Sequence, residues 1–268
     1  MNYSDYLSSA LSSTLAAGMT IMDIYNSEDF TVELKQDNSP LTIADKASHE
    51  IIKDILASSN LPILSEEDDI HPYEERKSWE SFWMIDPIDG TKEFIKRNGE
   101  FTVNVAFIKK NTPVLGVVYA PATKELYFAE YGLGAFKIEN ISHFDQLENL
   151  PHINLNNSNQ NLPKTFTLVV SKSHMNKETE DYVNKMRKMH GLVASKSFGS
   201  SLKICKVAEG YAHCYPRFGP TMEWDTAAAQ AVATFAGCKI FDAKSSKSLS
   251  YNKKNLLNPF FIVSRDIK

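Results

Sequence analysis

No lysine or arginine precedes Lys35. A secretory signal needs a basic n-region and a continuous apolar h-region, and the stretch from Tyr6 to Tyr25 has neither, so a cytoplasmic location is the default expectation. Long hydrophobic runs are also lacking. Stretches such as Val114 to Ala120 fall far short of the roughly 20 residues that a membrane-spanning helix requires. Cysteine is scarce, and Cys205, Cys214 and Cys238 are too few and too irregularly spaced for a disulfide framework or a zinc site. They are expected as buried reduced thiols. Nor is there an excess of positive charge: 29 Lys and Arg stand against 33 Asp and Glu, a net charge of -4. A surface built to neutralise a nucleic-acid backbone is thereby excluded, and no nucleic-acid polymer is expected as a partner. The 268 residues contain no internal repeat and are enough for a sizeable core.

Apolar periodicity gives the organisation. Leu7, Leu11, Leu15, Met19 and Met22 recur at helical steps, which predicts an amphipathic helix over the first 25 residues with its stripe on the core. A membrane-surface role for this helix, and so peripheral attachment at the inner membrane, is the weaker reading because it lacks a basic face. A second helix is expected from Asp45 to Leu56, after the extended segment Ser39 to Ile43. Short β-like runs follow at Leu61 to Leu64, Phe82 to Ile85, Thr102 to Ile108, Val114 to Tyr119, Glu125 to Ala129 and Ala135 to Ile138, read as an antiparallel meander. Beyond the Asn-rich stretch Asn154 to Asn161 the pattern alternates. Strands at Thr165 to Ser171, Leu192 to Phe198, Ala212 to Tyr215, Lys239 to Asp242 and Phe260 to Ser264 are interleaved with helices at Lys177 to Met189, Ser201 to Glu209 and Asp225 to Phe235. The expected division is an α+β unit over 1–160 and an α/β unit over 161–268.

The chemistry-bearing segment is Trp83-Met84-Ile85-Asp86-Pro87-Ile88-Asp89-Gly90-Thr91-Lys92-Glu93-Phe94, an apolar strand running into two carboxylates and a helix start. Hard divalent cations take oxygen ligands, and Asp86, Asp89 and the intervening Ile88 carbonyl offer them on a Pro-stiffened turn. Gly90 and Thr91 then present backbone N–H groups where a phosphate is favoured. Further carboxylates stand in Leu64-Ser65-Glu66-Glu67-Asp68-Asp69 and in Trp224-Asp225. Taken singly, each has a plain structural alternative: an acidic run as solvated surface, Asp225 as a helix cap, Asp45 likewise.

Together these segments resemble the inositol monophosphatase superfamily of magnesium-dependent, lithium-sensitive phosphatases, whose acidic pair, WxxDPxDGT and distant WD all occur here in order. More specific stretches, DNSPLTIAD (Asp37 to Asp45), KEFIKRNGEFT (Lys92 to Thr102), GSSLK (Gly199 to Lys203) and YPRFGPT (Tyr215 to Thr221), are similar to the bisphosphate nucleotidases within it. The resemblance covers nearly the whole chain. It implies an α/β fold, an αβαβα layered sandwich of the inositol monophosphatase and fructose bisphosphatase type.

For the site, the resemblance implies metal ligands at Glu66, Asp86, the Ile88 carbonyl, Asp89 and Asp225, holding two or three Mg²⁺ ions that Li⁺ would inhibit. Asp45 and Thr91 would orient the attacking water, with Glu66 nearby as a possible proton acceptor. Gly90, Thr91, Gly199, Ser200, Asp225, Lys203 and Arg217 would face the substrate, the last two as a clamp for its second phosphate. His174 matches a nucleotide-contacting position and Lys35 a lysine on metal-bound water. The activity implied is hydrolysis of adenosine 3'(2'),5'-bisphosphate to AMP and phosphate, in sulfur assimilation, with this small nucleotide as the partner. An inositol monophosphatase would share the metal ligands without needing the clamp. A non-catalytic nucleotide sensor would have no use for Asp45 and Thr91.

Overall fold

The computed structural model describes residues 4–27, 32–34, 40–156, 158–171 and 176–265. Helix α1 (Asp5–Tyr25) starts at Ser4, whose side chain accepts a hydrogen bond from the Leu7 N–H at 3.1 Å. A two-stranded ribbon, β1 (Val32–Leu34) with β2 (Pro40–Thr42), leads into α2 (Ile43–Leu56). Then come β3 (Ile63–Ser65), α3 (Tyr73–Arg76), β4 (Ser81–Asp89), α4 (Thr91–Ile95), β5 (Thr102–Lys109), β6 (Thr112–Ala120), β7 (Glu125–Glu130), β8 (Gly134–Ile138) and β9 (Ile153–Asn154). The remainder is β10 (Phe166–Ser171), α5 (Lys177–His190), β11 (Val193–Phe198), α6 (Leu202–Ala208), β12 (Cys214–Arg217), α7 (Trp224–Phe235), β13 (Cys238–Asp242) and β14 (Phe261–Arg265).

Strands β3 to β9 form one seven-stranded sheet in sequence order, and β11-β10-β12-β14-β13 form a five-stranded one. The expected antiparallel meander holds from β4 onward, but β3 pairs with β4 in parallel. The physical reason is the connection: residues 66–80, including α3, are long enough to carry the chain back to the starting edge, which a tight hairpin turn cannot do. The expected second helix begins at Ile43, two residues early, because Thr42 rather than an acid caps it.

The molecule is layered. Leu7, Leu11 and Leu15 of α1 and Ile52 of α2 pack on one face of the large sheet, against Trp83, Ile85, Val105 and Val117. The alternate residues Phe82, Met84, Ala106 and Val118 point the other way, into a core shared with α6 and α7 and with Val169, Tyr215 and Val263 of the small sheet. Helix α5 covers that sheet's outer face through Val183 and Met186. The order is therefore helix, sheet, helix, sheet, helix. With both faces of the large sheet covered, its central strands are apolar almost without interruption. The stripe on α1 is spent on this packing, at roughly 1.5–3 kcal/mol per buried leucine. No helix among the described residues is long and apolar enough to cross a membrane.

Helix α7 lies in the middle layer and is buried around nearly its whole circumference. Its alanines let it sit close: a Cβ at Gly116 of β6 would run into the Ala228 carbonyl. That close approach brings the first turn of α7, with Asp225, over the ends of β4 and β5. The three cysteines are buried, as the sequence suggests.

Candidate active site

Two residues three apart on a regular strand face opposite sides of the sheet, so Asp86 and Asp89 would diverge. They do not, because β4 is bulged between them. Asp86 lies opposite Asn104 and Asp89 opposite Thr102, so three steps on β4 match two on β5. The extra residue turns both carboxylates to the side that Asn104 and Thr102 share. Gly90 ends the strand at φ 95°, a left-handed conformation that a side chain resists, and a Cβ there would meet the Ser200 hydroxyl. Helix α4 then begins at Thr91.

Glu66, at the end of β3, and Asp225, in the first turn of α7, complete the cluster. Carboxylate oxygens of Glu66, Asp86 and Asp225 lie within 4.8 Å of one another. Of the acidic pair, it is thus Glu66 that joins, while the next acid but one, Asp68, is drawn off to Lys53 at 3.0 Å and to His49 at 3.4 Å. Asp86 is 1% exposed, and neither of its carboxylate oxygens has a hydrogen-bond partner among the described residues. Burial, with the charges of Glu66, Asp89, Asp225 and Glu67 behind it, raises Asp86 well above the usual carboxylate range. Asp225 is raised well above it too, by burial and by Asp89 and Glu66. Burial also raises Asp89, although Lys203, Ser201 and Asn104 oppose it. So much buried, mutually repelling negative charge with orphaned oxygens fits a hard divalent cation, which would supply the missing partners and offset the repulsion. Glu66, Asp86 and Asp225 are the acids whose oxygens the structure brings together for it, with Asp89 beside them.

Asp45 joins the start of α2 to Thr91. Its Oδ2 accepts from the Thr42 N–H at 2.7 Å and from the Thr42 hydroxyl at 2.6 Å, closing the capping box of α2. Its Oδ1 accepts from the Thr91 hydroxyl at 3.1 Å. Thr91 also lies 3.4 Å from the Ile88 carbonyl oxygen. The helix cap therefore clamps the carboxylate whose other oxygen orients Thr91.

Beside the carboxylates a small pocket is walled by Asp89, Ser201, Lys203, Tyr215, Arg217 and Asp225. Lys203 does not stand out in solvent. It is half-buried over the Tyr215 ring, 5.9 Å from its centroid, and burial lowers its amine to about 8 in spite of the attraction of Asp89, Glu93 and Asp225. Arg217 is braced by its own loop, donating to the Thr221 hydroxyl at 2.7 Å and the Pro220 carbonyl at 2.8 Å. Ser200 donates to the Asp89 and Glu100 carbonyls, both at 2.7 Å, and so serves the backbone around the site. Gly199, just before it, stands against Glu100. Lys35 and His174 lie outside the described residues.

Residues that sequence reasoning passed over also build the site. Ser201 and Asn104 contact the metal-site acids, and a lone Asn inside the apolar strand Thr102 to Ile108 was the available signal. Glu223, fully buried, receives the Asn252 N–H at 2.6 Å and the Lys253 N–H at 3.0 Å and pairs with the Lys253 amine at 2.5 Å, which secures the start of α7 two residues before Asp225.

The model of the inositol monophosphatase family matches residues 2–265. The 3'(2'),5'-bisphosphate nucleotidase CysQ of Salmonella typhimurium is 43% identical over 252 residues, 92% of this chain and 95% of that one. The protein of the same description from Escherichia coli strain K12 is 44% identical over 252 residues, with the same coverage of both. Among solved structures, CysQ from Bacteroides thetaiotaomicron, described as a bacterial member of the inositol monophosphatase family, superposes with a TM-score of 0.90 at 45% identity, over 99% of each chain. The Thermotoga maritima inositol monophosphatase, at 23% identity and a TM-score of 0.72 over 97% of this chain and 92% of that one, shares the layered fold.

Proposed function

The chain belongs to the inositol monophosphatase family, and we propose that it is a Mg²⁺-dependent phosphomonoesterase that converts adenosine 3'(2'),5'-bisphosphate to AMP and phosphate. The observation that carries this reading is the adjacency of a carboxylate cluster, in which both oxygens of Asp86 lack a hydrogen-bond partner among the described residues, and a pocket bearing Lys203 and Arg217. One part of the site can hold metal and the reacting phosphate, the other a phosphate that does not react. Relatives described as bisphosphate nucleotidases, aligned over nine-tenths of the chain, support the same substrate. Removal of the nucleotide's extra phosphate suits a role in sulfur assimilation.

Glu66, Asp86, Asp89 and Asp225, with the Ile88 carbonyl, would hold two or three Mg²⁺ ions, and Li⁺ would inhibit by competing for the same oxygens. Mg²⁺ held there would supply charge neutralisation on the phosphoryl oxygens and would make water more acidic. The chain's own contribution begins with Asp45. Thr42 fixes one oxygen of its carboxylate, and the other holds the Thr91 proton. The lone pairs of Thr91 are left to accept from the attacking water and aim it. Glu66, as one of the ligands, would serve as the proton acceptor. Gly90, at a left-handed φ and tight against Ser200, makes the turn after which the N–H groups at the start of α4 would face the phosphate. Arg217 and Lys203 would clamp the second phosphate, Arg217 through its planar fork.

Phosphate release measured over a panel of bisphosphate nucleotides, mononucleotides and inositol phosphates with Mg²⁺ tests the reading. Adenosine 3',5'-bisphosphate is expected to be preferred. Arg217→Ala should cost about one to two powers of ten on the bisphosphate, the worth of a charged hydrogen bond of about 1.5–3 kcal/mol, and little on a monophosphate. Preference for inositol phosphates, or an equal loss on both substrate types, would overturn it.

A further inference from the structure

We propose that Asn104 is a positioning residue that, through Ser201, locks together two metal-binding carboxylate residues contributed by opposite halves of the fold. The inference rests on the metal-site reading above. Ser201, 2% exposed at the start of α6, has one hydroxyl proton and two acceptors in reach: the Asp89 Oδ2 at 2.9 Å and the Asp225 backbone carbonyl at 2.6 Å. Asp89 comes from β4 and Asp225 from α7, so this hydroxyl is the atom at which the large sheet and the middle helix layer meet in the site. A hydroxyl is a rotor, and in isolation it could as well turn its proton elsewhere. Here Asn104 decides its direction. The Asn104 amide, 1% exposed on β5, donates to the Ser201 oxygen at 3.0 Å. With a lone pair occupied by that N–H, the serine proton is turned toward Asp89 and Asp225.

The same register that sets Asn104 opposite Asp86 explains why a polar side chain sits in the middle of an otherwise apolar strand. Its Oδ1 has no hydrogen-bond partner among the described residues. A buried amide left half-satisfied is a standing cost to the fold, which an apolar side chain of that size would avoid. The cost is offset where the amide holds a ligand in place, since partners that orient metal ligands commonly govern metal affinity by about 10–100-fold.

The test is calorimetric titration of metal-stripped protein with Mg²⁺, together with thermal melting in chelator. Asn104→Leu and Ser201→Ala should each weaken Mg²⁺ binding by about tenfold or more. They should leave the metal-free protein folded, with a melting transition in chelator as cooperative as that of wild type. The double variant should bind more tightly than the product of the two single losses predicts, because Asn104 acts largely through Ser201, its other contribution being a direct hydrogen bond to Asp89. Should Asn104→Leu not fold, Asn104→Ser, polar but too short to reach Ser201, carries the same expectation. Unchanged Mg²⁺ affinity in the variants, or losses that multiply, would overturn the inference while a wild-type protein that binds Mg²⁺ leaves the metal site standing. A wild-type protein that binds no Mg²⁺ would bring down both.

Discussion

Replacing Thr91 by Val removes a hydroxyl and keeps the shape, so it isolates the orienting function of that group. In the structure the hydroxyl makes a 3.1 Å hydrogen bond to Asp45 Oδ1, and its loss from a charged acceptor should cost about 1.5–3 kcal/mol of stability. Asp45→Asn keeps an acceptor for Thr42 and forfeits part of the cap, at about 0.5–2 kcal/mol. Neither loss unfolds a domain of this size at 25 °C. Their effect on turnover should be larger, since a positioned proton acceptor contributes about 10²–10⁴-fold. At 1.36 kcal/mol per factor of ten this is about 3–5 kcal/mol in the activation barrier. The assay is phosphate release from adenosine 3',5'-bisphosphate at saturating Mg²⁺, with Mg²⁺ affinity measured separately. We expect kcat to fall by these factors and Mg²⁺ affinity to change far less, since the cluster of Glu66, Asp86 and Asp225 is untouched. The double variant should be no slower than the slower single one, because Asp45 acts on the water only through Thr91. Losses that multiply, or an Mg²⁺ affinity that falls as far as kcat, would refute this reasoning.

Asp86→Asn should raise the melting temperature of the metal-free protein above about pH 5. Its folded pKa is raised, so the carboxyl stabilises the fold when protonated and that contribution is lost as pH climbs from the ordinary range of about 3.9. The same variant should lose turnover and the Mg²⁺-induced thermal shift. A variant less stable than wild type in chelator at pH 8, or one still stabilised by Mg²⁺, would contradict the orphaned-carboxylate account. Far from the site, Lys137 joins Glu125 at 2.6 Å and Glu209 at 2.9 Å, and Lys206 reaches the same two acids at 3.0 and 2.9 Å, across the seam between β7, β8 and α6. Lys137→Met should cost about 1.5–3 kcal/mol, or roughly 3–12 °C, by leaving the half-buried Glu125 and Glu209 short of one cation. Burial pushes Glu125 up, but Lys137 and Lys206 outweigh it and hold the group below its ordinary value. Its contribution is thus present above about pH 4.3 and lost as pH falls through the folded value, so the gap between variant and wild type should narrow in acid. Melting curves from pH 7 to 3 check this, and a gap independent of pH would contradict it.

What the sequence determined by itself was local. The helical spacing of Leu7, Leu11 and Leu15, the apolar strand runs and the break in pattern after Asn154 follow from burial periodicity, which each segment carries alone. So do the acids in DPIDGT and WD, whose residue types announce oxygen ligation. Tertiary structure alone decided which acids converge. Glu66 and Asp68 stand in one acidic run, yet the end of β3 turns the first toward Asp86 while Lys53 and His49 on α2 take the second. It also decided that β3 runs parallel to β4, since pairing direction depends on where a long connection returns. Asp45 could be read as a cap or as part of the site; only the approach of Thr91 from the far end of β4 makes it both. Nothing in its own segment says how far Lys203 is buried, and its place beside Asp89 and over Tyr215 is what half-buries it. These outcomes are contacts between segments distant in the chain, fixed by how sheets and helices stack, and periodicity within any one segment carries no record of them.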